Sequence, residues 1–281
     1  MSKKLFLEMD YSQQELRVLA RESGDMEMIR CFVEGIDIHR RTASMITKKP
    51  MDQVTSNDRQ NAKPVNFGVV FGQTAQGLVN YARDSYGVIL TEEDAERHLK
   101  AYFQLYSGVK QYQAQLIYRA RQEGCVWVYW DGKKVHRRYV HGITSTTNKA
   151  VVASCIRITK NTGIQGGASL YTLHSILVLK HMQRKNMVPG LIEIVGTVHD
   201  SIWFEIWEDQ LKECVDTIGR VMVGFPCKTK DGIEIPLEVD GKVGPSLGEM
   251  KKCCVVSSDK IERGARFDYG YWKTDKEVRF V

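Results

Sequence analysis

The chain has no Cys-X-X-Cys pair, and its seven cysteines are scattered apart from Cys253-Cys254. No Cys/His spacing suits zinc either, so the sequence offers no structural zinc site, and reduced thiols are expected. It also lacks any run of eighteen consecutive apolar residues, which excludes a simple membrane-crossing helix. No signal-peptide pattern opens it, and neither an internal repeat nor a low-complexity linker divides it. The expectation from these absences is a soluble, cytoplasmic protein without a membrane partner. Charge is only mildly one-sided: forty Lys and Arg against thirty-four Asp and Glu leave +6. That balance favours a polyanionic partner without requiring one. At 281 residues the chain can bury a real core in one large or two modest domains.

What is present begins with alternation. Leu5, Leu7 and Met9 alternate with Phe6, Glu8 and Asp10, which predicts a short strand with Asp10 at its end. Helical spacing follows over residues 13–21, 26–34 and 37–45, with Ser12 or Ser23 available as caps. A further helix carries Arg59 through Phe71, started by Asn57 or Asp58, with a kink expected at Pro64. Thr91-Glu92-Glu93-Asp94 reads as a capping box, and residues 109–122 as another helix. Asp131-Gly132 marks a hairpin over residues 126–139 whose second strand holds Lys133, Lys134, Arg137 and Arg138. A long helix is expected over 167–185, then a hairpin over 191–206 with Asp200 at its bend, a helix over 208–223 and a strand near 237–239. The stretch after residue 250 is weakly patterned.

Two carboxylates on strand ends can hold divalent metal. Hard Mg²⁺ prefers carboxylate oxygens shared with substrate phosphates, and two ions about 3.5–4 Å apart can assist both the attacking and the leaving oxygen of a nucleotidyl transfer. Each aspartate taken alone also fits a turn or cap role. On the helix, Arg59, Lys63, Phe67 and Phe71 stand four residues apart, so two cations and two rings share one face. Arg59 over Lys63 costs an isolated helix roughly 0.2–0.5 kcal/mol, a sign that a triphosphate lying against them would reverse. Arg59 can grip a phosphate with its fork and Lys63 acts as a point charge. An amphipathic helix with a solvated cationic end is the alternative reading, as a solvated edge strand is for the basic hairpin.

These segments together resemble the motifs of the family A DNA polymerases, the group of bacterial DNA polymerase I. Asp10-Tyr11-Ser12-Gln13-Gln14-Glu15-Leu16-Arg17 looks like motif A, the segment from Arg59 through Phe67 to Gly72 resembles motif B, and Val198-His199-Asp200-Ser201 is similar to motif C. The resemblance implies an α+β fold: a right-hand palm built on an antiparallel sheet, with helical fingers, the thumb and exonuclease domain being absent. It assigns residues 1–20 and 166–250 to the palm, 21–165 to the fingers and 251–281 to a C-terminal tail. It implies template-directed DNA synthesis on primer-template DNA with dNTPs. Two Mg²⁺ ions would sit on Asp10, Asp200 and the Tyr11 carbonyl. Arg59, Lys63 and His39 would contact the triphosphate, with Lys63 counted as catalytic, and Phe67 the sugar and base. Glu15 matches the steric gate against ribonucleotides, and Phe71 a template-side stacking position. Gln165, His199 and the hairpin cations Lys133, Lys134, Arg137 and Arg138 would touch DNA.

This sequence departs from the family pattern in two motifs. Ser201 stands where motif C usually has Glu, and Phe71 where the family often has Tyr. The sequence also begins nine residues before Asp10, and the expectation drawn from that is a split polymerase, of the kind phage or viral genomes would encode, with a separate polypeptide supplying the thumb, the rest of the palm and an exonuclease; a fragment of a longer polymerase would read the same way. The corresponding location is a bacterial or infected-host cytoplasm. A non-catalytic, polymerase-derived nucleic-acid-binding subunit stays open through Ser201. An RNA polymerase or reverse transcriptase is disfavoured by Glu15 and the motif B spacing. The reading as a whole requires Asp10 and Asp200, 190 positions apart, to converge within an ion pair's reach, opposite the cationic helix.

Overall fold

The structure is a computed structural model that describes residues 2–188, 192–260 and 279–280. In chain order the described residues form β1 (Lys4–Tyr11), α1 (Gln14–Ser23), α2 (Met26–Val33), α3 (Ile38–Thr47), α4 (Ser56–Val70), α5 (Ala75–Tyr86), α6 (Glu92–Leu105), α7 (Ser107–Glu123), β2 (Cys125–Trp130), β3 (Lys133–Tyr139), α8 (Lys149–Arg184), β4 (Ile192–Val198), β5 (Ser201–Trp207), α9 (Leu211–Val223), β6 (Glu238–Gly244), β7 (Lys251–Ser257) and β8 (Arg279–Phe280). They divide into two compact units, Met1–Gln14 with Ala168–Cys227 and Pro236–Val281, and Glu15–Gly167 with Lys228–Ile235. Among the described residues no helix is long and apolar enough to cross a membrane.

The first unit is a sheet of strand order β4-β5-β1-β6-β7-β8, antiparallel throughout. Alternation on β1 buries Leu7, Met9 and Tyr11 on one face and leaves Glu8 and Asp10 on the other. The buried face continues through Ile202, Phe204 and Ile206 of β5, Val239 of β6 and Val256 of β7. Helix α9 covers it with Cys214, Val215, Ile218 and Met222. Gly219 permits the close approach, since a side-chain carbon there would stand 2.7 Å from a Val256 methyl. Each large aliphatic side chain so buried contributes roughly 1.5–3 kcal/mol.

The second unit is mainly helical. Thr55 and Asp58 form a reciprocal capping box at the start of α4, and Thr91 and Asp94 form another on α6. Asp25 caps α2 through the Met28 amide (3.0 Å) and also accepts the Gly108 amide (2.8 Å), which ties the starts of α2 and α7 together. The β2–β3 hairpin turns at Asp131-Gly132, both at positive φ, as the Asp-Gly pair predicts.

Three expectations need correction. The cap of α4 is Thr55, with Asp58 its reciprocal partner, in place of Asn57 or Asp58. The long helix begins at Lys149, well before residue 167. Its glycines serve packing: a side-chain carbon would come 2.6 Å from Val128 at Gly166 and 3.1 Å from the Tyr112 hydroxyl at Gly163. Finally, residues 251–257 are strand β7 inside the sheet, where the sequence reading placed a tail. A bulge opposite Gly241 hid that strand, because it destroys the period-two pattern.

Candidate active site

Strand β1 carries Asp10 between Ser201 of β5 and Asp240 of β6. The two-residue turn His199-Asp200 joins β4 to β5, with His199 at φ 56°, and the Tyr11 amide donates to the Asp200 carbonyl at 3.3 Å. The turn is thereby fixed beside the end of β1, which brings the Asp10 and Asp200 carboxyl groups close enough for each to bear on the other's charge. Burial, then the Asp200 charge, then Glu8 push the Asp10 carboxyl up to about 7. Burial likewise raises Asp200. Two desolvated carboxylates facing one another are a site that a divalent cation would relieve, and their hard oxygens suit Mg²⁺. No group of three or more His, Cys, Asp or Glu side chains among the described residues is arranged to hold a metal alone. A carboxylate pair completed by substrate phosphates is how Mg²⁺ is commonly held.

The sequence reading missed the surroundings of this pair. Glu8 and Asp240 lie on the same sheet face, but each has a lysine: Glu8–Lys242 at 2.8 Å and Asp240–Lys252 at 2.7 Å. Glu8 was detectable, two residues from Asp10 on a period-two strand. Asp240 needed the register of β6. Ser201 is buried, with its hydroxyl donating to the Val198 carbonyl (2.9 Å) and accepting from the Trp203 indole (3.0 Å). The Tyr11 ring points into the core, donating to the Met222 carbonyl at 2.6 Å and lying 3.0 Å from the Ser175 hydroxyl. Only the Tyr11 backbone is left for a ligand role.

In the second unit, α4 is enclosed on most sides. Ala62, Pro64, Val65, Asn66, Gly68, Val69 and Val70 are buried, while Arg59, Lys63, Phe67 and the capping Phe71 stay partly open. Helix α3 sets His39 against this stripe, 5.7 Å from Phe67 between ring centres. Asn66 donates to His39 Nδ1 at 3.0 Å and accepts from Thr42 at 2.9 Å. The neutral ring then carries its proton on Nε2. Burial chiefly, with the nearby Arg59 and Lys63 charges, holds His39 down to about 4. Asp37, the cap of α3, takes the Arg59 Nε at 2.6 Å. Asp37 and Asn66 are thus parts of this cluster that the sequence reading did not single out.

Phe71 stacks on Phe67 (6.5 Å, 24°) and meets Tyr81 edge-on at 5.7 Å. Tyr81 meets the Tyr86 ring edge-on at 5.6 Å between centres, and the Glu15 charge bears on both phenols. Glu15 and Phe71 therefore share the Tyr81–Tyr86 pair as neighbours. Strand β3 is exposed along its whole length. Lys134 lies 4.6 Å from the Trp127 ring centre and Arg137 4.8 Å from that of Tyr139. Gln165 is exposed on α8 and accepts from Asn161 at 2.8 Å.

A sequence model described as DNA polymerase family A matches residues 1–249. The chain belongs to DNA polymerase family A. Relatives of this family A chain include DNA polymerase I of Geobacillus stearothermophilus, 32% identical over 242 residues that make up 86% of this chain and 26% of that protein. DNA polymerase I of Lactococcus lactis is 33% identical over 249 residues, 88% of this chain and 26% of the relative. The chain thus spans about a quarter of the length of these curated relatives. Among solved structures it resembles the polymerase domain of Pol1 from M. smegmatis, in complex with DNA primer-template and dNTP, at TM-score 0.73 and 26% identity, covering 87% of this chain and 40% of that one. The mixed helical and antiparallel-sheet fold is that of a polymerase domain.

Proposed function

We propose that this chain carries the catalytic centre of template-directed DNA synthesis, with the sheet unit as palm and the helical unit as fingers. The observation that carries the reading is the convergence of Asp10 and Asp200 as a half-buried carboxylate pair in which the Asp200 charge raises Asp10, in a member of family A. Asp10, Asp200 and the Tyr11 carbonyl would hold Mg²⁺, which when bound supplies charge neutralisation for the attacking and leaving oxygens. Arg59 and Lys63 would bind the triphosphate, with Asp37 fixing the Arg59 fork in place. His39, neutral and carrying its proton on Nε2, would donate to a phosphate oxygen. Phe67 and Phe71 offer ring faces to base and template, and Glu15, held beside Tyr81 and Tyr86, would crowd the sugar 2′ position. Gln165, His199 and the β3 cations would follow DNA backbone without reading sequence.

A companion polypeptide that supplies the primer grip is part of the proposal. Strand β4 supports it, since it is an outer strand of the sheet and exposes Val195 (49%) and Val198 (58%). One observation favours the non-catalytic alternative: the Ser201 hydroxyl is committed to Val198 and Trp203 and presents no third carboxylate. Mg²⁺-dependent primer extension separates the readings. Asp10→Ala and Asp200→Ala are expected to lose activity by orders of magnitude while retaining DNA binding. Wild-type protein that binds primer-template yet never extends it, with or without candidate partners, would establish the binding-subunit reading instead.

A further inference from the structure

Adjacent residues of a regular strand point to opposite faces, but Cys253 and Cys254 of β7 do not follow that rule. The register steps between Gly241 and Lys242, so that Gly241 pairs with Cys254, Lys242 pairs with Lys252, and Cys253 is the extra residue. Two residues of β7 then oppose one of β6, which turns the two thiols toward the same side. Both are buried, and their Sγ atoms lie 3.8 Å apart. A third sulfur arrives from β1, because Met9, Gly241 and Cys254 form one cross-strand row. From the point where a side-chain carbon on Gly241 would stand, Cys254 Sγ is 2.2 Å away, Met9 Sδ 3.1 Å and Cys253 Sγ 3.2 Å. Glycine at this position lets three sulfurs converge in the space that a side chain would take.

We propose that Met9, Cys253 and Cys254 form a binding site for a soft, thiophilic cation of the Cu(I) class. A thioether beside two thiols selects soft ions over Mg²⁺, whose preferred ligands are oxygens. The spacing also fits: two sulfurs 3.8 Å apart, each about 2.3 Å from one metal, subtend about 110°, the tetrahedral angle. On binding, each thiol releases its proton to solvent as its sulfur–metal bond forms, and Met9 donates a lone pair without losing a proton. No electron changes hands. Met9 lies on the core face of β1 and Asp10 on the other, so a soft-ion site and a hard-ion site would occupy opposite faces of neighbouring residues.

The test uses the whole reduced protein. Titration with Cd²⁺ alone, as a spectroscopic probe, is expected to give a thiolate-to-metal charge-transfer band that saturates at one equivalent, with two protons released. The Cys253→Ser, Cys254→Ser double variant should lose the band, and Cys214→Ser should keep it. X-ray absorption of the wild-type Cu(I) complex, which needs no variant to fold, should show sulfur neighbours only. A band of equal size in the double variant, a release of fewer than two protons, or a nitrogen or oxygen shell around copper would each overturn the proposal.

Discussion

Asp10 and Asp200 illustrate how a site works against the stability of its own fold. Two desolvated carboxylates that repel one another are costly without a cation between them. Asp10→Asn should therefore abolish primer extension and, in EDTA near neutral pH, raise the melting temperature, by about 2–4 °C for each kcal/mol of repulsion removed. Equal melting of variant and wild type would show that the pair stores no such repulsion. His39 sets an acid limit of the opposite kind. Its folded pKa, near 4, lies below the ordinary 6.5, so the unfolded chain takes up a proton that the folded one refuses. Stability from this group is complete above about pH 6.5 and is lost as pH falls toward 4. Urea unfolding at about pH 7 and pH 5 should show a larger loss for wild type than for His39→Gln, and parallel losses would remove His39 as the cause.

Elements, more than single side chains, decide how the sequence pattern can be read. The β2–β3 hairpin was legible because Asp-Gly between alternating runs has a local cause, the positive φ of both turn residues. Strand β7 was not, because the pairing that creates its bulge lies on β6. Helix α8 begins earlier than the sequence reading placed it, and its Gly163, Gly166 and Gly167 are points of close packing against Tyr112, Val128 and Val18. The exposed basic strand β3 has a consequence of its own. Replacing Lys133, Lys134, Arg137 and Arg138 by alanine should lower the salt slope of DNA binding by roughly 1 for each side chain that meets a phosphate. An unchanged slope would return β3 to the solvated-edge reading.

At the scale of the whole molecule, an outer strand with exposed valines asks for a neighbour. Val195→Lys with Val198→Lys should leave the isolated chain folded, since both positions are exposed, and should block assembly with the proposed companion polypeptide, read as a fall in native mass to 32.1 kDa. A wild-type particle from the natural source that is fully active at that mass would refute the companion altogether.

The sequence by itself determined the chemistry on offer: acidic residues at a strand end and a hairpin bend, a cationic and aromatic helix stripe, and a basic hairpin. Those features are local, set by side-chain periodicity and turn preference, and such causes act over a few residues. Only the tertiary structure decided that Asp10 and Asp200 come together, that Glu8 and Asp240 are already neutralised by lysines, and that Ser201 is bound into its turn. It also decided that three sulfurs from β1 and β7 surround one glycine of β6. Each of those outcomes depends on strand register, and register is fixed by which apolar face the rest of the sheet and α9 can bury, a condition that no short stretch of sequence contains.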